Sequence, residues 1–173
     1  MNQQDALVFL HKNNPMPRRP DAVFLEVFRE VLDTLIAQPL EDAIPYLINS
    51  FGNWPDFTIY EKVQEALRRF TPSVICPHLN KGLLSKSESV RSWCAHTLKY
   101  FPDPDFLPIL ERMLSERNLL VRLAAAIGLE SMPGEKVVLI AKDALKSEKD
   151  IDVKEILASI INARQRSFQS PGV

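Results

Sequence analysis

The stretch "VRLAAAIGL", Val121 to Leu129, decides the fold. A Val-Arg pair leads into three alanines, and Gly128 sits inside what otherwise reads as helix. Thirty-one positions earlier stands "VRSWCAHTL", Val90 to Leu98, and the same step carries Arg91 to Arg122, Ala95 to Ala126, Leu98 to Leu129 and Pro102 to Pro133. Further back, Ile59, Leu67 and Phe70 precede Val90, Leu98 and Phe101 by 31; further on, Val153, Ala158 and Ile161 follow Val121, Ala126 and Leu129 by 32. Self-similarity at a fixed step of this length means stacked supersecondary units, none of which can bury its apolar face alone. Four units are visible.

A second element keeps the same beat. "PYL" at Pro45, "PHL" at Pro77 and "PIL" at Pro108 are spaced 32 and 31, and each proline is expected in a first helical turn, which tolerates it. Each unit therefore reads as a helix pair. The second helices start beside capping residues: Thr58 three before Glu61, Ser87 and Ser89 before Val90, Asn118 before Val121, and Asp150 or Asp152 before Val153. "TP", "FPDP" and "MPG" stop helices. Ala124, Ala125, Ala126 and Gly128 are small because helices stacked between neighbours approach closely there, an approach that offsets the roughly 1 kcal/mol of helix propensity a glycine loses. With no strand-length alternation anywhere, the expectation is an all-α chain: a right-handed superhelical solenoid of about four helix pairs with an N-terminal helical cap.

The pattern "P-x-L … L … V-R-x-x-A-A-x-x-x-L" across Pro108 to Leu129, looser in the other units, resembles the HEAT (armadillo-type) repeat in the short form of HEAT-like bilin lyase subunits. The resemblance covers about residues 42 to 163. It implies a fold and leaves the function open, because this repeat serves many unrelated tasks. It also implies an Asp five residues before the Val of Val-Arg, linking neighbouring units through the Arg. This chain has Trp54, Ser85, Glu116 and Glu148 there, which predicts an incomplete ladder.

Three segments follow. Residues 1–20 hold a short helix over Asp5 to Lys12 and the linker "NNPMPRRP"; 21–163 form the repeat domain, with Asp21 capping "AVFLEVFREVLDTLIA" as the end unit; 164–173 are a flexible tail. The chain of 173 residues is 46% hydrophobic and 25% charged, enough to bury a core. Its net charge of -1 gives no overall bias toward nucleic acid or membrane. Residues 60 to 125 are mildly basic, with 10 basic and 7 acidic groups. With no signal peptide, no spanning segment and only two cysteines, the expected location is the cytoplasm.

Chemistry has little support in the residues. Cys76-Pro77-His78 and Cys94-Ala95-His96 raise the idea of a zinc site, but helical residues two apart point about 200° apart. Cys94 also occupies the slot that Ala125 fills one unit later, which favours a buried thiol. Glu41-Asp42 and Asp103/Asp105 fall at helix starts, where capping is the ordinary use. No nucleophile elbow, metalloprotease, phosphate-loop or dinucleotide motif occurs. No enzyme activity, cofactor or metal is predicted.

What remains is surface. If Val and the residues four and eight on face the core, positions two, six and nine after Val face outward: Glu61, Glu65, Arg68; Ser92, His96, Lys99; Leu123, Ile127, Glu130; Glu155, Ser159, Asn162. Leu123 and Ile127 are apolar where the neighbours are polar. Exposed apolar pairs mark partner sites, whereas a rotated helix would make both core. Trp93 reads either as an interface anchor or, the favoured reading, as core. The expected function is a protein-binding module holding one partner, with immunity, inhibitor and adaptor proteins as examples, through Leu123, Ile127, Glu130, His96, Lys99, Ser92 and Trp93. The alternatives are a nucleic-acid binder resembling HEAT-like DNA glycosylases, suggested by the basic middle, and a bilin lyase-like subunit, suggested by the short repeat.

Overall fold

The computed structural model describes residues 1–52 and 57–169, so Trp54 and the last four residues lie outside the described part. All regular structure within it is helical. The chain divides into two compact units, Met1–Cys94 and Ala95–Val173.

The first unit holds α1 (Gln3–Lys12), α2 (Ala22–Ala37), α3 (Ile44–Asn49), α4 (Phe57–Leu67), α5 (Pro72–Leu83) and the first part of α6 (Glu88–Thr97). Asn2 caps α1 and Asp21 caps α2, each side chain accepting from a first-turn amide at 2.8 Å. α1 packs on α2 and α3, α2 on α4, and α3 on α4 and α5. Two helical layers result: α1, α3 and α5 form the first, α2 and α4 the second. The N-terminal cap is thus itself a helix pair, joined by the proline-rich segment. Phe28 and Leu32, both fully buried, stand 31 residues before the buried Ile59 and Val63, so the repeat beat extends into α2.

The second unit contains the end of α6, a 3-10 turn at Leu98–Tyr100, a second at Pro104–Phe106, and then α7 (Leu107–Met113), α8 (Leu119–Glu130), α9 (Lys136–Ser147) and α10 (Ile151–Gln169). α7 packs on α8 and α9, while α10 packs on α8 and α9. The same two-layer arrangement results, with α8 and α10 adjacent in the second layer. α10 runs six residues past the boundary placed at 163, and Arg164 Nη2 donates to the Met132 carbonyl at 2.7 Å.

Two local expectations need correction. Pro45 and Pro108 sit in the first turn of α3 and α7, each just after a 3-10 turn (Glu41–Ala43 and Pro104–Phe106), but Pro77 lies in the interior of α5. Pro72, following Thr71, starts that helix five residues earlier, so "TP" opens a helix as well as closing the one before. Thr58 lies inside α4. Ser87 precedes α6 and accepts from Val90 N at 3.4 Å, Asn118 Oδ1 accepts from Leu120 N at 2.8 Å, and Asp150 Oδ1 accepts from Asp152 N at 3.0 Å.

The alanine-rich helix is buried as its composition requires. Ala124, Ala125 and Ala126 are wholly inaccessible. A Cβ on Gly128 would lie 3.0 Å from the Ala95 carbonyl oxygen and 3.2 Å from Leu110 Cδ2, so α8 approaches its neighbours closely where the side chain is missing.

Candidate functional site

The second helices keep one register. Val121, Ala125 and Leu129 on α8 are fully buried, as are Ile59, Val63 and Leu67 on α4. On the opposite side, Glu61 and Glu65 of α4, Arg68 just beyond its end, and Glu155, Ser159 and Asn162 of α10 are exposed. Leu123 and Ile127 occupy the corresponding positions of α8 and are half-buried, one turn apart, with Glu130 exposed at the end of the helix.

The other predicted residues divide between the units. In the second, His96 is half-buried, and burial, reinforced by the Lys99 charge, lowers its pKa, so the imidazole is held toward its neutral form. Lys99 is exposed, its ammonium 4.9 Å from the Tyr100 ring centroid. In the first unit, Ser92 and Trp93 are half-buried. The Trp93 ring lies 5.8 Å from Phe51, nearly parallel to it, and 4.8 Å from Tyr60. Trp93 therefore belongs largely to an aromatic cluster over that unit's core. The sequence reading favoured that placement, and an anchoring role would have to use its remaining exposed edge.

The link between repeats is built from Arg122 and Glu148. Arg122 Nε donates to Glu148 Oε2 at 2.8 Å and Nη2 to Oε1 at 3.2 Å, while Nη1 donates to the carbonyls of Glu116 and Arg117. Glu148 Oε1 also accepts from the amides of Lys149 and Asp150. Burial of this carboxyl, 4% exposed, pushes its pKa up, but the Arg122 hydrogen bonds and the two amides outweigh burial and hold it at about 2. Glutamate thus does the work expected of aspartate at the ladder position. In the first unit Arg91 repeats one part of the geometry, with Nη1 donating to the Ser85 carbonyl, six residues back, at 2.7 Å.

Two features escaped the sequence reading. Leu120 is 62% exposed beside the less exposed Leu119 at the start of α8, and Ile151 is 64% exposed at the start of α10. Leu119 and Ile151 stand 32 residues apart, so the repeat alignment itself carried that signal. The second is the Glu41-Asp42 pair. Asp103 caps its 3-10 turn, accepting from Asp105 N at 2.9 Å, but neither Glu41 nor Asp42 makes a capping bond. Leu40 holds the capping position instead.

Among the described residues, no group of three or more His, Cys, Asp or Glu side chains is placed to hold a metal ion, and no helix is long and apolar enough to cross a membrane. Cys76 is half-buried; Cys94 is buried, and desolvation raises its thiol pKa. What the second helices offer is a face for contact. No curated protein matches the chain. Residues 76–161 match the family model described as HEAT repeats, and together with the two-layered helix pairs and their 31-residue beat this makes the chain a HEAT-like repeat protein.

Proposed function

We propose that this protein is a stoichiometric binding module that holds one protein partner against the outward face of α8. HEAT repeats are generally protein-interaction scaffolds, which supports the broad class. The finer reading rests on one observation: Leu123 and Ile127 place apolar surface at positions that α4 and α10 fill with exposed polar groups. Glu130, His96 and Lys99 supply polar groups within the same unit. An apolar anchor of this kind contributes about 2 kcal/mol or more to binding, and peripheral charges less. Ser92 and Trp93 of the other unit are further candidates. An inhibitor, immunity or adaptor role fits a module with such a contact face.

The test is the double substitution Leu123→Asp and Ile127→Asp. Affinity capture with the wild-type chain identifies the partner, which is then purified and titrated against both forms. The variant should keep its helical circular dichroism and lose binding at least tenfold, since two charges in a desolvated anchor cost several kcal/mol (about 1.4 per tenfold). A variant that unfolds would make the two side chains core; one that binds fully would put the partner on another face.

A further inference from the structure

The groove between α1 and α3 in the first unit has a composition that the α8 face does not explain. It has a volume of about 610 Å³. Leu7 and Val8 of α1, Pro45 and Tyr46 of α3, and Glu41 and Asp42 line it, together with Gln4 and His78. His11 lines it too, its ring 5.9 Å from that of Tyr46. Val8 is 41% exposed, and Leu7 and Tyr46 are half-buried.

Both carboxylates are exposed and make no side-chain hydrogen bond or ion pair among the described residues. Asp21, Asp103 and Asp150, by contrast, each accept a backbone amide at a helix start. Glu41 and Asp42 therefore hold no part of the fold together, yet two adjacent negative charges are kept beside an apolar, aromatic trough. A cationic side chain with an aliphatic stem matches both halves. Its stem covers Leu7, Val8 and the Tyr46 ring while its charged end reaches the carboxylates.

We propose that the α1–α3 groove takes an arginine or lysine side chain of a protein partner, with Glu41 and Asp42 pairing its charge and Tyr46, Leu7 and Val8 packing its stem. The proposal rests on the protein-binding reading but uses a different surface, so the two fail separately. The probe is the capped peptide acetyl-Leu-Arg-Ala-Arg-Leu-amide, titrated into the isotope-labelled full chain and followed by amide chemical shifts. Saturable shifts are expected around Leu7, Val8, Glu41 and Tyr46. Glu41→Gln with Asp42→Asn should weaken binding by about tenfold, with the melting temperature unchanged. Tyr46→Ala should weaken it about threefold, and the Leu123→Asp, Ile127→Asp variant should bind the peptide normally. The proposal is overturned if the shifts fall elsewhere or do not saturate, if the double variant binds within twofold of wild type, or if the peptide with glutamate in place of arginine binds as well.

Discussion

In the pair α5–α6, Gly82 lies against Cys94; one repeat later, in α7–α8, the same two positions are Met113 and Ala125. All four are buried. A Cβ on Gly82 would collide with the Cys94 sulfur and come within 3.0 Å of Ile48 Cγ2, so the glycine makes room for the thiol. In α8 the alanine leaves room that a methionine on α7 is long and flexible enough to use. The repeat conserves buried position more than residue type, the residue at one position being matched to its neighbour across the helix pair, which is why "VRSWCAHTL" and "VRLAAAIGL" build equivalent helices. The two helices differ further at Thr97 and Gly128, which correspond and are both buried. Gly128 brings α8 against the Ala95 carbonyl.

The largest effects should come from disturbing those volumes. Gly128→Leu meets a backbone oxygen that cannot move away cheaply, and should destabilise by about 3 kcal/mol. Gly82→Ala should cost about 2 kcal/mol because the obstacle is a fully buried sulfur. Cys94→Ala alone leaves a small cavity and should cost about 1 kcal/mol. Combined, the two changes should be less damaging than their sum by at least about 1 kcal/mol, since the second removes the obstacle to the first. Denaturant unfolding of the four forms measures the cycle, and strict additivity would break the volume-exchange account.

Position 85 and its counterpart 148 hold a serine and a glutamate. Ser85 Oγ accepts from Ser87 N at 3.2 Å, and Glu148 Oε1 accepts from Asp150 N at 2.9 Å, so both side chains close the turn two residues on. Glu148 adds the ion pair with Arg122. Glu148→Gln should therefore cost about 2 kcal/mol, and Ser85→Ala about 0.5 kcal/mol. The acid limb sharpens this. A carboxyl held at about 2 against an ordinary 4.5 contributes stability that is complete above pH 4.5 and is lost as pH falls toward 2. The wild type should lose more stability across that window than Glu148→Gln does. Parallel curves for the two would mean that the pair is not intact in solution.

Much of this was legible because the repeat makes the sequence its own alignment. The register of Val121, Ala125 and Leu129, the small residues at the close approach and the caps at Asp21 and Asn118 all follow from spacing and side-chain chemistry. Spacing says less about where a helix begins. Pro77 keeps the beat of Pro45 and Pro108, but Pro72 nucleates α5 ahead of it, a choice made locally among competing starts. The terminal pair α1–α2 was read as a capping helix preceded by a separate short helix and linker, not as a repeat pair, because its Val-Arg signature is absent. Phe28 and Leu32 preserve only the buried positions. Glu41 and Asp42 had the composition of a cap, and only the backbone shows Leu40 in the capping place. At the α8 surface, Leu123 and Ile127 could be picked out as anomalies, whereas their half-burial depends on packing that the pattern does not contain.

The smallest expected difference lies at the starts of the same two helices. Asn118 accepts from Leu120 N at 2.8 Å, a short bond that satisfies one of the unpaired amides of α8. Ser87 reaches Val90 N only at 3.4 Å, and Glu88, the first residue of α6, already places a negative charge against the helix dipole. α8 has no acidic residue in its first turn and so depends more on its cap. Asn118→Ala should lower stability by about 1 kcal/mol and Ser87→Ala by a few tenths. Thermal unfolding at low and high salt separates the causes. Added salt screens the Glu88 contribution and should widen the effect of Ser87→Ala, leaving that of Asn118→Ala nearly constant, because a hydrogen bond to a neutral amide is little affected by screening. Equal losses at both sites, insensitive to salt, would show that the two helices start by the same means despite their different first turns.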